Sequence, residues 1–219
     1  MVEYATEEEQ IEAVRRWWRE NGRAVITGVI IGVAALVAWR GWAWYTENRA
    51  LAASAVYEQV LAEVNSGDTE ALVEQAQRLR KRYGSTAYAA LGAFAAARAE
   101  VDAGKLDAAA DWLRWVMDNA DEVNTQRLAR ARLARVMGEQ GKTDAALDLL
   151  DAEVPSAYTA LYAEIRGDLL SDKGEREAAA EAYRQALQAQ IGPSDPELVQ
   201  RKLNRVKPAG SGRSAAAKS

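Results

Sequence analysis

The stretch VMGEQGKT, Val136 to Thr143, ends like a loop that cradles phosphate. That chemistry needs a glycine, four spacer residues and then Gly-Lys-Thr, so that the bent backbone aims its N–H groups at the anion. Here the first place holds Val136 and no strand-like run precedes it, so Gly141 reads as a turn glycine. The chain has no histidine and no cysteine. Ser-His-Asp and Cys-His nucleophile systems are therefore excluded, and the usual zinc sites with them. Carboxylates gathered at Asp118, Asp121 and Glu122 read as a solvated turn. The expectation is a protein that is not an enzyme and holds no cofactor, metal or nucleotide.

Charge excludes a further class. Lys and Arg number 28 against 32 Asp and Glu, a net charge of −4. A nucleic-acid surface usually shows a strong basic excess, which is absent. The lack of cysteine permits an oxidising compartment without disulfides. Few prolines, with abundant Ala, Leu, Glu and Arg, predict an all-α fold.

The elements that position everything else begin with ENGRAVITGVIIGVAALVAWRGWAWYTENR, Glu20 to Arg49. Ala24 to Trp39 is 16 residues without a charge, and the apolar run resumes after Arg40. Residues 24–45 would extend about 33 Å as a helix, against roughly 30 Å of hydrocarbon in a bilayer. Trp39, Trp42, Trp44 and Tyr45 surround Arg40, an aromatic belt with a snorkelling cation. A retained transmembrane helix over 24–45 fits this better than a secretion signal, although the small residues ALAASA at 50–55 leave cleavage open. Arg15, Arg16, Arg19 and Arg23 precede the span, and Arg40 and Arg49 follow it. That excess predicts a cytoplasmic N-terminus and an external bulk domain.

Residues 1–23 read as a cytoplasmic amphipathic segment. Thr6 and Glu9 form a capping box, Ile11, Val14 and Trp18 share a face with Trp17 beside it, and Asn21-Gly22 suits a helix stop. Two readings stand side by side: a surface-lying or docking helix, and a solvated lead-in. Within the span, Gly28 and Gly32 form a GxxxG step that Ala24 and Ala35 extend, a face along which another helix could pack.

After the span the sequence repeats. Gly67, Gly104, Gly141 and Gly174 recur at separations of 37, 37 and 33 residues. Five residues beyond each stands a small or apolar residue, Leu72, Ala109, Ala146 or Ala179, which opens a helical apolar face. The second face runs Trp112, Leu113, Val116 and Met117; the third Leu149, Leu150 and Val154; the fourth Ala182, Tyr183, Ala186 and Leu187. Each unit is a helix, a turn at glycine and a second helix whose alanine allows close packing. One hairpin cannot bury both faces, so hairpins stack, and a period near 34 residues looks like tetratricopeptide repeats. The inter-repeat proline is missing in the first three units, with Pro193 after the fourth, and Gly167 occupies the first-helix glycine place of the fourth. Pro196 opens a last helix with Val199, Leu203 and Val206 on one face, suited to capping. The expected organisation is four degenerate hairpins plus this cap within 46–207, and a small, polar, disordered tail over 208–219. Tyr57, Tyr88, Tyr158 and Tyr162 are contact residues for a groove or equally members of the core.

The block EEQIEAVRRWWRENGR, the single span, AWRGW and the degenerate repeats RLARVMGEQGKTDAALDLLD and YAEIRGDLLSDKGEREAAAEAYRQAL together resemble the bacterial YfgM family of ancillary translocon subunits. The resemblance covers about residues 1–206. It implies an inner-membrane protein with its repeats in the periplasm, associated with the SecYEG translocon and a PpiD-type periplasmic chaperone. It also implies a part in handing over nascent secretory chains and in stress-response regulation from the cytoplasmic side. No catalytic residue of that family exists to carry over. The rivals are an envelope or cell-division scaffold of the same architecture, and a released periplasmic solute-binding protein.

Overall fold

The computed structural model describes residues 7–151, 156–189 and 194–207. The Thr6 cap, Val154, Pro193 and the tail 208–219 lie outside the described residues. Every regular element among them is helical: α1 Glu7–Ser66, α2 Thr69–Tyr83, α3 Ala87–Asp102, α4 Leu106–Asn119, α5 Val123–Glu139, α6 Thr143–Leu150, α7 Ser156–Asp172, α8 Arg176–Gln188 and α9 Pro196–Val206. The chain divides into two units, Met1–Arg49 and Ala50–Ser219.

In the first unit, α1 does not stop at Asn21-Gly22. The Asn21 amide donates to the Trp17 carbonyl at 3.1 Å, a bond that suits continued helix, and the apolar run downstream rewards continuation. Polar groups in and beside the apolar run are satisfied by their own helix, as hydrocarbon demands. The Thr27 hydroxyl donates to the Arg23 carbonyl at 2.8 Å, and the Asn48 amide to the Trp44 carbonyl at 2.8 Å. Ile26, Val29, Ile30, Ile31, Val33, Leu36 and Val37 are all more than half exposed, so this is an apolar surface that the described chain leaves uncovered, unlike the core helix of a soluble domain. Among the described residues α1 is the one helix long and apolar enough to cross a membrane.

In the second unit the end of α1 shares a buried core with α2 and α3, through Ala53 and Val60; α3 pairs with α4, α5 with α6 and α7 with α8, and α9 packs on α8. Gly67, Gly104, Gly141 and Gly174 sit in the turns with φ of +77°, +73°, +74° and +85°. This left-handed region carries a steric penalty for any side chain, which explains why glycine recurs there. The last three turns share one closure: Lys105, Lys142 and Glu175 donate backbone N–H to the Glu100, Met137 and Leu170 carbonyls at 2.8, 2.9 and 2.9 Å. Ala109, Ala146 and Ala179 are fully buried where second helices meet first helices. Gly92 and Gly167 serve the same close approach from the first helices: a Cβ on either would come within 2.6 Å of Leu79 or 2.5 Å of the Tyr183 ring. Ala53 is fully buried in the same core as Leu72, Ala76 and Leu79. ALAASA therefore belongs to the first helix of the stack, and cutting there would remove core.

Candidate functional site: an apolar groove on the first helices

Three first helices turn a second face away from their partners. Tyr57, Leu61 and Val64 on α1, Leu91, Phe94 and Ala95 on α3, and Thr125, Leu128 and Arg132 on α5 line a common groove of about 940 Å³. The spacings i, i+4, i+7 on α1, i, i+3, i+4 on α3 and i, i+3, i+7 on α5 put each set on one side of its helix. The opposite side is alanine: Ala89, Ala93 and Ala96 are fully buried, so α3 packs closely behind the groove. Leu61 is 43 % exposed, Val64 48 % and Leu91 43 %, side chains that a soluble core would have covered.

The polar groups stand at the rim. Arg98 and Asp102 form an exposed ion pair at 2.8 Å, which leaves Glu63, Asp121 and Glu122 as the remaining acids of the lining. Arg132 lies over the Phe94 ring, its guanidinium carbon 4.5 Å from the ring centre. Burial, with the nearby Arg135 charge, moves Arg132 below the ordinary arginine range. The guanidinium thus lies against the Phe94 face within the lining. Within this lining the Thr125 hydroxyl donates to the Glu122 carboxylate at 3.3 Å, side chain to side chain at the start of α5. The lining is suited to holding an apolar segment of another chain.

A tetratricopeptide repeat-like domain profile matches residues 15–208. The ancillary SecYEG translocon subunit of Escherichia coli K12 is 32% identical over 203 residues, 93% of this chain and 98% of that protein. The proteins of the same name from Aggregatibacter actinomycetemcomitans and Haemophilus influenzae are 30% and 29% identical over 204 residues each, 93% of this chain and 99% of theirs. The chain belongs to the ancillary SecYEG translocon subunit family. Its fold is all-α, with one apolar N-terminal helix followed by a tetratricopeptide-like solenoid.

In this family member the four tyrosines divide. Tyr57 lines the groove and stacks against Tyr88, ring centres 5.8 Å apart, at the edge of the core. Tyr158 and Tyr162 lie elsewhere. Their hydroxyls donate to the Asn124 and Arg127 carbonyls at 3.1 Å each, and so pin α7 to the first turns of α5. Leu61, Val64, Leu91 and Phe94 were not singled out by the sequence reading. The signal was present in AYAALGAFAAAR: α3 is apolar on nearly every side, more than one buried face requires. The phosphate-loop look-alike resolves into structure: Gly141 is a turn, Lys142 lies 3.6 Å from Asp107, and Thr143 opens α6. In the first unit, Gly28, Gly32, Ala24 and Ala35 lie on exposed helix, and a Cβ at either glycine would meet nothing within 4 Å. Trp39, Trp42, Trp44 and Tyr45 are about half exposed or more, and Arg40 is exposed among them.

Proposed function

We propose that the chain is a membrane-tethered adaptor at the Sec translocon, anchored in the bacterial inner membrane and working by protein–protein binding without catalysis. Residues 1–23 face the cytoplasm, 24–45 cross the lipid bilayer, and the repeats act in the periplasm. The excess of Arg15, Arg16, Arg19 and Arg23 over Arg40 and Arg49 supports this orientation. The groove takes an apolar segment from a PpiD-type periplasmic chaperone or from a nascent secretory chain. Exposed Leu61, Val64 and Leu91 around one groove carry this reading, and the name of the E. coli relative supports its setting. Tethering holds both partners at high local concentration, so a weak groove contact is sufficient. Gly28 and Gly32 offer the face along which a translocon helix packs. The tetratricopeptide-like domain and the name of the E. coli relative support a role without catalysis.

The test is photocrosslinking in intact cells, with probes at Leu61 and Leu91, at Gly28 and Gly32, and at exposed Arg176 as a control. Translocon subunits captured from the glycine positions, and chaperone or nascent chains from the groove but not from Arg176, are the expected result. Capture of division or wall-assembly proteins alone would replace this reading with a scaffold.

A further inference from the structure

The continuity of α1 through Asn21-Gly22 changes what Trp17, Trp18 and the arginines beside them are. They do not belong to a separate helix free to turn away. They ride on the same helix as the apolar run, at fixed height and azimuth. Trp18 and Trp42 are 24 residues apart, about 36 Å along the axis. Hydrocarbon plus part of each headgroup layer spans that distance, since the core is roughly 30 Å and the whole bilayer 40–45 Å. Trp17 and Trp18 therefore complete a second aromatic belt, opposite the belt at Trp39 to Tyr45.

The Trp18 side chain has the matching direction. A Cβ placed on Gly22 would lie 3.4 Å from the indole Cε2 and Nε1, so the ring is folded over the glycine towards the apolar run. Helical side chains ordinarily lean the other way, towards the N-terminus. Gly22 gives the indole room to lie down along the helix, at the level where headgroups meet hydrocarbon.

Charge is sorted along the same stretch of sequence. Glu3, Glu7, Glu8, Glu9 and Glu12 all precede Arg15, and Glu20 alone stands among the arginines. Arg15, Arg19 and Arg23 recur at i, i+4 and i+8, with Arg16 three before Arg19, so the four share one face. All four are exposed, and none makes an ion pair with a described residue, although Glu12 and Glu20 stand four residues from Arg16 on either side. Arg23 abuts the apolar run, and Arg19 follows about 6 Å further out, within the headgroup layer. Arg16 and Arg15 stand about 10 and 12 Å beyond Arg23, in water just outside that layer.

The geometry points to a binding site for anionic phospholipid headgroups, formed by the Arg15–Arg16–Arg19–Arg23 face with the Trp17–Trp18 belt. The guanidinium groups bind lipid phosphates in forked geometry, and the outlying glutamates are repelled by the same anionic surface. The inference rests on reading α1 as a membrane span.

The test uses full-length protein in phosphatidylcholine vesicles, with spin-labelled phosphatidylglycerol or spin-labelled phosphatidylcholine as probe. The fraction of each probe immobilised at the protein is read by electron spin resonance. The expected result is a preference for phosphatidylglycerol of about twofold or more. It falls to parity in Arg15→Gln/Arg16→Gln/Arg19→Gln/Arg23→Gln and is kept in the corresponding four-lysine variant. Parity in the unaltered protein, or a preference unchanged in the glutamine variant, overturns the site. Immobilisation of neither lipid overturns the span reading and this site together, whereas parity with both lipids immobilised overturns the site alone.

Discussion

Lys202 on α9 places its ammonium 2.7 Å from the Glu164 carboxylate on α7, across 38 residues of sequence. The same nitrogen lies 2.7 Å from Asp168, and Arg135 on α5 stands 3.8 Å from Glu164. Glu164 is 4 % exposed, so its charge depends on these partners. The capping helix is thus held by a charged clasp as well as by Val199, Leu203 and Val206. Lys202→Met should destabilise the unit by roughly 2–4 kcal/mol and release α9 first. Hydrogen exchange of the full-length protein in micelles checks this. Unchanged protection of the α9 amides would show the clasp to be dispensable.

Tyr183 belongs to the same neighbourhood and gives a pH dependence. Burial, then its hydrogen bond to Asp168 at 2.8 Å, raises its hydroxyl well above the ordinary tyrosine value. An unfolded tyrosine ionises near pH 10, before the folded one. The stabilisation is therefore complete below about pH 10 and is lost as pH climbs towards the folded value. Unfolding measured from pH 8 to 11 should show stability falling at the alkaline end, and Tyr183→Phe should flatten part of that fall.

Gly167 and Gly92 make a contrasting pair. An alanine methyl at 167 meets the Tyr183 ring, which is buried and tied to Asp168 and so cannot move aside. Gly167→Ala should cost about 1–3 kcal/mol despite alanine's better helix propensity. At Gly92 the obstacle is one terminal methyl of Leu79, buried but held by no hydrogen bond, so Gly92→Ala should cost less than Gly167→Ala. Denaturant midpoints compare the two, and equal losses would contradict the assignment.

Leu61→Asp with Leu91→Asp puts two charges into the groove while leaving the core untouched. Stability should move by about 1 kcal/mol or less, since both residues are already exposed. Co-purified periplasmic partner should drop severalfold. Full retention of partner with a folded variant would remove the groove from the binding reaction.

Gly28→Leu with Gly32→Leu adds bulk where a Cβ meets nothing, so insertion and the repeat fold should be unaffected. Translocon retained through purification should fall, because the close approach of a second helix is lost. Equal retention would assign that contact to another face.

The repeats were legible because their signals are local. A turn with positive φ admits little but glycine, and a tight helix crossing admits little but alanine, so Gly104 and Ala109, or Gly141 and Ala146, mark a hairpin without reference to anything distant. The apolar helix was legible for the same kind of reason: length and aromatic placement answer to bilayer thickness, which is external to the fold. The stop at Asn21-Gly22 was read wrongly because local turn preference is weak beside an unbroken helix with a satisfied Asn21 side chain. Three further relationships belong to tertiary structure alone. Leu61, Leu91 and Leu128 come from three helices, and only stacking shows that they line a common groove, Leu128 from the edge of the core. Tyr158 and Tyr162 meet α5 carbonyls 34 and 35 residues away, which their own surroundings do not announce. Lys202 finds Glu164 only because α9 folds back over α7 and α8. Sequence by itself determined the repeating unit, through backbone sterics and helical period. Tertiary structure decided which apolar faces were left open, because exposure depends on what the rest of the chain brings alongside.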